Sequence, residues 1–251
     1  MRQEVFEEED IPLPEFEHLG LSKDGLLNLG EHDLKALLSG GRTELLHLTN
    51  LVDDDVKIMN LDAKLSLKRN EQGGLDLLIH PVYRRMMTPA YVSDEEAEKL
   101  ASGELSTLNK TVEIGGRKRE VLIEFDKDTQ EFVITDAERI LAPDFVNNEE
   151  LTPEQKRRFK KGQEVELPDG TRFRYSATAA AGMRSNRLHL IASLLVDGGL
   201  SYILYKGLKA LSNKKEDKVT EDYSRGYFHA LEDMKVRQVK NRMSGQNIQS
   251  R

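Results

Sequence analysis

Histidine is the side chain best suited to move a proton or hold a metal near neutral pH. The chain has six: His18, His32, His47, His80, His189 and His229. No two stand two or four residues apart, so none forms a local metal motif. His80 and His189 fall in corresponding strands of two similar segments and read as ordinary strand histidines. No G-x-S-x-G and no H-x-E string occurs. Cysteine is absent, which removes disulfides, thiolate zinc sites and thiol nucleophiles. Asp53-Asp54-Asp55 offers three carboxylates, but adjacent acids point in different directions. A calcium loop alternates its acids and adds a glycine and a closing Glu, so this run reads as a solvated turn. Tyr223 and Tyr227 share a helix face at the spacing of strand-transfer tyrosines, yet no histidine cluster accompanies them. No catalytic residue, metal ligand or cofactor is expected, and the chain reads as a non-enzyme.

Two stretches could instead bind phosphate. LLSGGRTEL, residues 37–45, places a glycine turn beside an arginine and a threonine. A Walker loop needs a preceding strand and G-x-x-x-x-G-K-[ST]; here a helix precedes, so the turn reads as a helix stop. The stronger candidates are basic. Residues 152–187 hold Lys156, Arg157, Arg158, Lys160, Lys161, Arg172, Arg174, Arg184 and Arg187 against Glu154, Glu164, Glu166 and Asp169. Phe159, Phe173 and Tyr175 lie among them. Such a mixture can hold single-stranded nucleic acid by charge and stacking, or it can meet an acidic protein face. Lys235, Arg237, Lys240 and Arg242 extend the candidate set into a C-terminal tail that carries no acid from residue 235 onward.

The elements that must carry these residues show one pattern three times. EHDLKALLSGG from Glu31, SDEEAEKLASG from Ser93 and TPEQKRRFKKG from Thr152 each read as a short helix. Ser93 with Glu96, and Thr152 with Gln155, are capping boxes, and Pro153 suits the first helical position. Each helix stops at a glycine, Gly40, Gly103 or Gly162. Apolar alternation then predicts about three strands per unit. In the third unit these are QEVELPDG, TRFRYSATAAAG and, after a turn at MRSN, RLHLIAS. Leu200, Ile203, Leu204, Gly207, Leu208 and Leu211 at 3–4 spacing predict an apolar helix closing that unit. A last helix is expected from near Thr220, with Tyr227, Leu231 and Met234 on one face. The fold class is therefore α+β: three repeated units of a short helix followed by about three antiparallel strands, then a C-terminal helical segment. The expected organisation is an acidic flexible arm over 1–19, units over 20–92, 93–150 and 151–211, and a charged linker, helix and basic tail over 212–251.

The totals set limits. Net charge is −7 over 251 residues, an acidic body unlike the usual duplex-DNA reader. The first residues, MRQEVFEEEDIPLPEF, contain no apolar run, so no signal peptide is expected. The most apolar stretch, residues 188–208, is interrupted by His189, Asp197 and Lys206, so neither a membrane span nor a membrane partner is expected. A cytoplasmic location follows as the expectation.

LDAKLSLKRNEQGGLDLLIHPVYR, LTPEQKRRFKKGQEVEL and GMRSNRLHLIASLLVDGGLSYILYKGL together resemble a family of uncharacterised domains. That family occurs on conjugative transposons and related mobile elements of the Bacteroidetes, often near a type IA topoisomerase gene. The resemblance covers about residues 20–211. It implies a bacterial cytoplasm and DNA maintenance or transfer machinery, and it carries over no catalytic residue. The expected function is a non-enzymatic accessory or adaptor protein of a mobile element that binds a protein partner, with nucleic acid as a further candidate partner. The alternative is a direct single-stranded nucleic-acid-binding module. A third reading, an unrecognised nuclease or hydrolase, would need acids gathered from separate units.

Overall fold

The computed structural model describes residues 6–53, 56–196, 199–206 and 224–246. The fold is α+β, and the chain forms two compact units. Unit 1 comprises residues 1–141 and 175–183; unit 2 comprises the rest.

Unit 1 begins with helix α1 (Leu13–His18), the short hairpin β1 (Ser22–Lys23) and β2 (Leu26–Leu27), and helix α2 (Glu31–Leu38). Strands β3 (Leu46–Asp53), β4 (Val56–Arg69) and β5 (Leu75–Pro81) form an antiparallel meander. Helix α3 (Asp94–Ser102) and the meander β6 (Leu108–Ile114), β7 (Arg117–Asp126) and β8 (Glu131–Asp136) repeat the arrangement. The helix boundaries follow local chemistry. Ser93 accepts from the Glu96 amide while Glu96 returns to the Ser93 amide, a complete capping box. Gly40 and Gly103 end their helices with φ of 72° and 85°, a region that costs glycine nothing.

The arm expected over residues 1–19 is folded from residue 6. Phe6, Ile11, Phe16 and Leu19 are buried and join Leu37, Leu48, Leu65 and Leu67 in the core of the first meander. The acids of this segment alternate with large apolar residues, and burial of the apolar ones outweighs the local charge. A second core, Ala97, Leu100, Val112, Val121, Ile123 and Phe132, fills the space between α3 and the second meander.

Each meander also has a polar face. Along β4, Ala63, Leu65 and Leu67 belong to the core cluster, whereas Lys64 and Ser66 alternate with them and project to the other face. Lys64 is 1% exposed. Its ammonium donates to Asp126 Oδ1 and Oδ2 at 3.0 and 2.9 Å and to the Thr178 carbonyl at 3.2 Å. Asp128 Oδ2 lies 3.0 Å away. Glu124, buried on β7, accepts from the Ala177 amide at 2.6 Å. Residues 175–183 thus cover the polar faces of β4 and β7 within unit 1.

Unit 2 contains β9 (Phe145–Val146), β10 (Glu149–Glu150), α4 (Pro153–Lys160), β11 (Val165–Glu166), β12 (Arg172–Tyr175) up to Arg174, β13 (Met183–Ser185) from Arg184, β14 (His189–Val196), β15 (Gly199–Lys206) and α5 (Arg225–Gln246). Helix α4 and the small sheet β11-β12-β13 again place a helix before three strands. Two expectations fail here. The expected turn MRSN is largely strand β13, and RLHLIAS leads into a different sheet, ordered β10-β9-β14-β15. The expected apolar helix is strand β15 over its described residues, paired with β14 from His189↔Lys206 to Val196↔Gly199. A continuous apolar run fits either period. Asp197-Gly198 is a strong hairpin signal, and Tyr202, Ile203 and Tyr205 are strand formers. Asp54 and Asp55, Asp197 and Gly198, Gly207, Leu208, Leu211, the linker 212–219, Thr220 and Tyr223 lie outside the described residues.

Helix α5 docks through its first turns. Tyr227 and Ala230 pack on Ile191. Asn147, in the turn between β9 and β10, donates to Ser224 Oγ at 3.0 Å and accepts from the Ile191 amide at 3.1 Å. Ser224 Oγ in turn accepts from the Tyr227 amide at 3.1 Å. A Cβ on Gly226 would stand 2.3 Å from the Asn147 carbonyl oxygen, so only glycine permits this approach.

Lys64→Met leaves two carboxylates facing a buried site without their cation. It should cost about 3–5 kcal/mol, read as a lowered urea midpoint by circular dichroism. Lys64→Met with Asp126→Leu should recover much of that loss, because no buried charge is then unpaired.

Candidate functional site

Two neighbouring features of unit 1 concentrate chemistry. The first is a polar array assembled by the strand register. Lys64 pairs with His80 and Ser66 with Leu78 across β4 and β5, so Ser66 and His80 are diagonal neighbours on one face. His80 Nε2 lies 2.8 Å from Ser66 Oγ. His80 Nδ1 lies 3.7 Å from Glu131 Oε1, which accepts from Arg42 Nη2 at 2.8 Å. A serine, a histidine and a carboxylate in this order invite comparison with a nucleophilic triad.

The electrostatics oppose that role. Burial first, and then the Arg42 charge, lower the His80 pKa from 6.5 to about 4; Asp126 pulls the other way and Lys64 adds to the lowering. An imidazole that refuses a proton until about pH 4 is a weak general base at neutral pH. A triad acid accepts from the imidazole Nδ1–H and stabilises the imidazolium, whereas Glu131 is engaged by Arg42 and stands beyond hydrogen-bond distance of Nδ1. The array is a polar seam between the two meanders. It also gives Ser39-Gly40-Gly41-Arg42-Thr43 its use. The glycines end α2, Arg42 holds Glu131, and Thr43 Oγ1 accepts from the Leu65 amide at 2.9 Å.

The second feature is a groove of about 390 Å³ lined by Tyr83, Arg85, Met87, Thr88, Pro89, Gln130, Glu131, Phe132 and Ile134. One wall is the segment after β5; the other is β8. The Tyr83 amide donates to the Thr129 carbonyl at 2.9 Å and ties the walls together at one end. Of the lining, Tyr83, Met87 and Ile134 are exposed, Met87 by 80%, and Val82, Met86 and Tyr91 are also exposed in the segment after β5. Such clustering on a chain with mean hydropathy of −0.57 is the usual mark of an interaction surface.

The basic candidates all lie in unit 2 and are largely spent on local partners. Lys156 pairs with Asp144 at 2.5 Å, Arg157 with Glu154, and Arg172 with Glu164 at 3.6 Å. Arg187 donates to the Asp169 carbonyl at 3.2 Å, and Arg174 is buried. Lys160, Lys161 and Arg184 are half-buried, while Arg158, Lys235 and Arg237 are exposed. Lys240 and Arg242 lie on α5 beyond the residues whose side chains are described. The aromatics expected to stack on bases do not offer their faces. Phe159 and Phe173 are buried against each other with ring centroids 5.9 Å apart. Burial, with Glu124 beside it, pushes the Tyr175 phenol up to about 12.

Neither the seam nor the groove was found among the candidates read from sequence. Ser66 and His80 could be suspected from strand register, but Arg42 and Glu131 are 89 residues apart and carry no mutual signal. The alternation K-L-S-L-K over residues 64–68 was the one hint of a polar strand face. His80 and His189 occupy strands of different sheets, β5 and β14, rather than matching positions. Among the described residues no three His, Asp or Glu side chains converge as a metal site requires, and no helix is long and apolar enough to cross a membrane.

Below pH 6.5 the unfolded chain protonates its histidines, while folded His80 stays neutral until about pH 4. Stability should therefore fall with pH across that window. Partial solvent screening limits the His80 share to about 1–2 kcal/mol. His80→Gln should flatten the slope of unfolding free energy between pH 6.5 and 4 by that amount.

Residues 6–89 match the family described as "Protein of unknown function (DUF4099)". The resemblance read from motifs extended over about residues 20–211; the match covers α1 to β5 and the groove wall from Tyr83 to Pro89. No curated protein and no solved structure matches the chain. The segment that includes the first meander is thus similar to a domain of unknown function.

Proposed function

We propose that the chain is a non-enzymatic accessory protein of a mobile genetic element, acting in the cytoplasm and capturing a protein partner through the groove of unit 1. The observation that carries this reading is the exposed Tyr83 and Met87 lining the same groove as exposed Ile134. Keeping these side chains in water is unfavourable by about 25 cal/mol per Å², and a docked partner removes that cost. The mobile-element context rests on the motif resemblance alone. The seam beside the groove supports the non-enzymatic part, because its histidine is tuned away from proton transfer.

Nucleic acid remains the second reading, favoured by one observation. Tyr227 and Ala230, in the first turns of α5, pack on Ile191 of β14, and Lys235 and Arg237 stand exposed further along the helix. With Phe159 and Phe173 buried, that contact would not use these two rings for base stacking.

A tagged full-length protein, expressed in a cell carrying the parent element, should retain a defined protein after nuclease treatment. Met87→Glu, at an exposed position, should abolish that retention without changing the circular dichroism spectrum. Recovery of nucleic acid alone, lost on reversing Lys235 and Arg237 to Glu, would replace the adaptor reading with the second one. Binding of that kind would also fall steeply with salt.

A further inference from the structure

We propose that the groove takes an extended acidic peptide segment, which adds as a strand along the outer edge of β8. This rests on the adaptor reading above and names the partner's chemistry at the same groove.

Three observations carry it. The second meander is ordered β6-β7-β8, so β8 is an edge strand. Its six residues leave about three N–H and three C=O groups directed outward. Among the described residues, no backbone hydrogen bond from Glu131–Asp136 to another segment is made on that side. An edge of this kind is a template for another chain. Native proteins usually blunt such edges with charge or cover. Here the edge instead lines the groove through Phe132 and Ile134.

The second observation is the spacing of apolar residues. A bound strand alternates its side chains. One set would meet Tyr83, Met87, Phe132 and Ile134. The other would face solvent and the rim. The third observation is charge. Arg85 lines the groove and Arg84 adjoins it. Both are exposed, and neither belongs to an ion pair among the described residues. Glu131, the one acid of the lining, is already held by Arg42 at 2.8 Å. The uncompensated charge at the rim is therefore positive. The matching segment is apolar at alternate positions and acidic between them.

The occupant is a strand rather than a helix. A helix buries its own backbone groups and would leave those of β8 unmet. A strand satisfies them in register.

The test uses the full-length protein and three fluorescein-labelled ten-residue peptides. One alternates valine and glutamate, one alternates valine and lysine, and one is the glutamate peptide N-methylated at alternate amides. The glutamate peptide should bind and shift the Phe132 and Ile134 amide resonances. The lysine peptide should bind at least about fivefold more weakly. N-methylation in the pairing register should weaken binding by more than about tenfold. Arg85→Glu should weaken the glutamate peptide and strengthen the lysine one. Equal binding of the N-methylated peptide, equal binding of both charges, or no binding at about 1 mM would overturn strand addition. If partner capture still depends on Met87 in that event, the adaptor reading stands and only the strand geometry falls. If capture is indifferent to Met87, the adaptor reading at this groove falls with it.

Discussion

A lysine ammonium buried with two carboxylates and a carbonyl is the contact on which unit 1 depends. Taking Lys64 and Asp126 out of water costs several kcal/mol per ion before their attraction is counted. The arrangement persists because Asp126 meets the ammonium with both oxygens and Asp128 and the Thr178 carbonyl meet it too. These groups come from β4, from the end of β7 and the following turn, and from the 175–183 excursion. One ammonium thereby ties these three segments at a single point. The contact also holds in place the turn from which β8 departs.

The seam extends outward from that node. Arg42 and Glu131 join the first glycine turn to β8, and Ser66 and His80 sit between them. Each meander thus turns its apolar face to its own helices and its polar face inward to the seam. Neutral His80 is a consequence. Flanked by Arg42 and Lys64 and removed from water, it would add a third positive charge if protonated. The same features that hold the seam together make it unsuited to proton transfer. Chemistry-bearing residue types are gathered there to fasten two sheets.

The proposed function rests on the surface beside the seam rather than on the seam itself. The segment after β5 leaves the sheet, is pinned by the Tyr83–Thr129 hydrogen bond, and presents apolar side chains across a gap from an edge strand. In unit 2, by contrast, Lys156, Arg157 and Arg172 of the basic run are paired with Asp144, Glu154 and Glu164. Charge counted along a chain overstates what a folded surface offers, because acids three to twelve residues away return beside it.

The local parts of this protein were legible in its residues. The helix of each unit, the capping boxes at Ser93 and Thr152, the glycine stops and the two meanders of unit 1 depend on contacts within a few residues or on strand alternation. Those interactions are settled by neighbours in sequence. The C-terminal helix was legible for the same reason, within a few residues of its start. Residues 199–206 were misread because an apolar run satisfies helix and strand periods alike, and only pairing with β14 selects the strand. The N-terminal segment was misread because its acids are local, while the core that captures Phe6 and Phe16 lies in β4 and α2. The seam and the groove were invisible because their partners are separated by tens of residues: 62 between Lys64 and Asp126, 114 between Lys64 and Thr178. Residue types and spacing determined which elements form. Which polar face met which, and therefore which residues were fastened and which left exposed, was decided only by tertiary packing, since desolvation and ion pairing act through space between segments that the chain order does not relate.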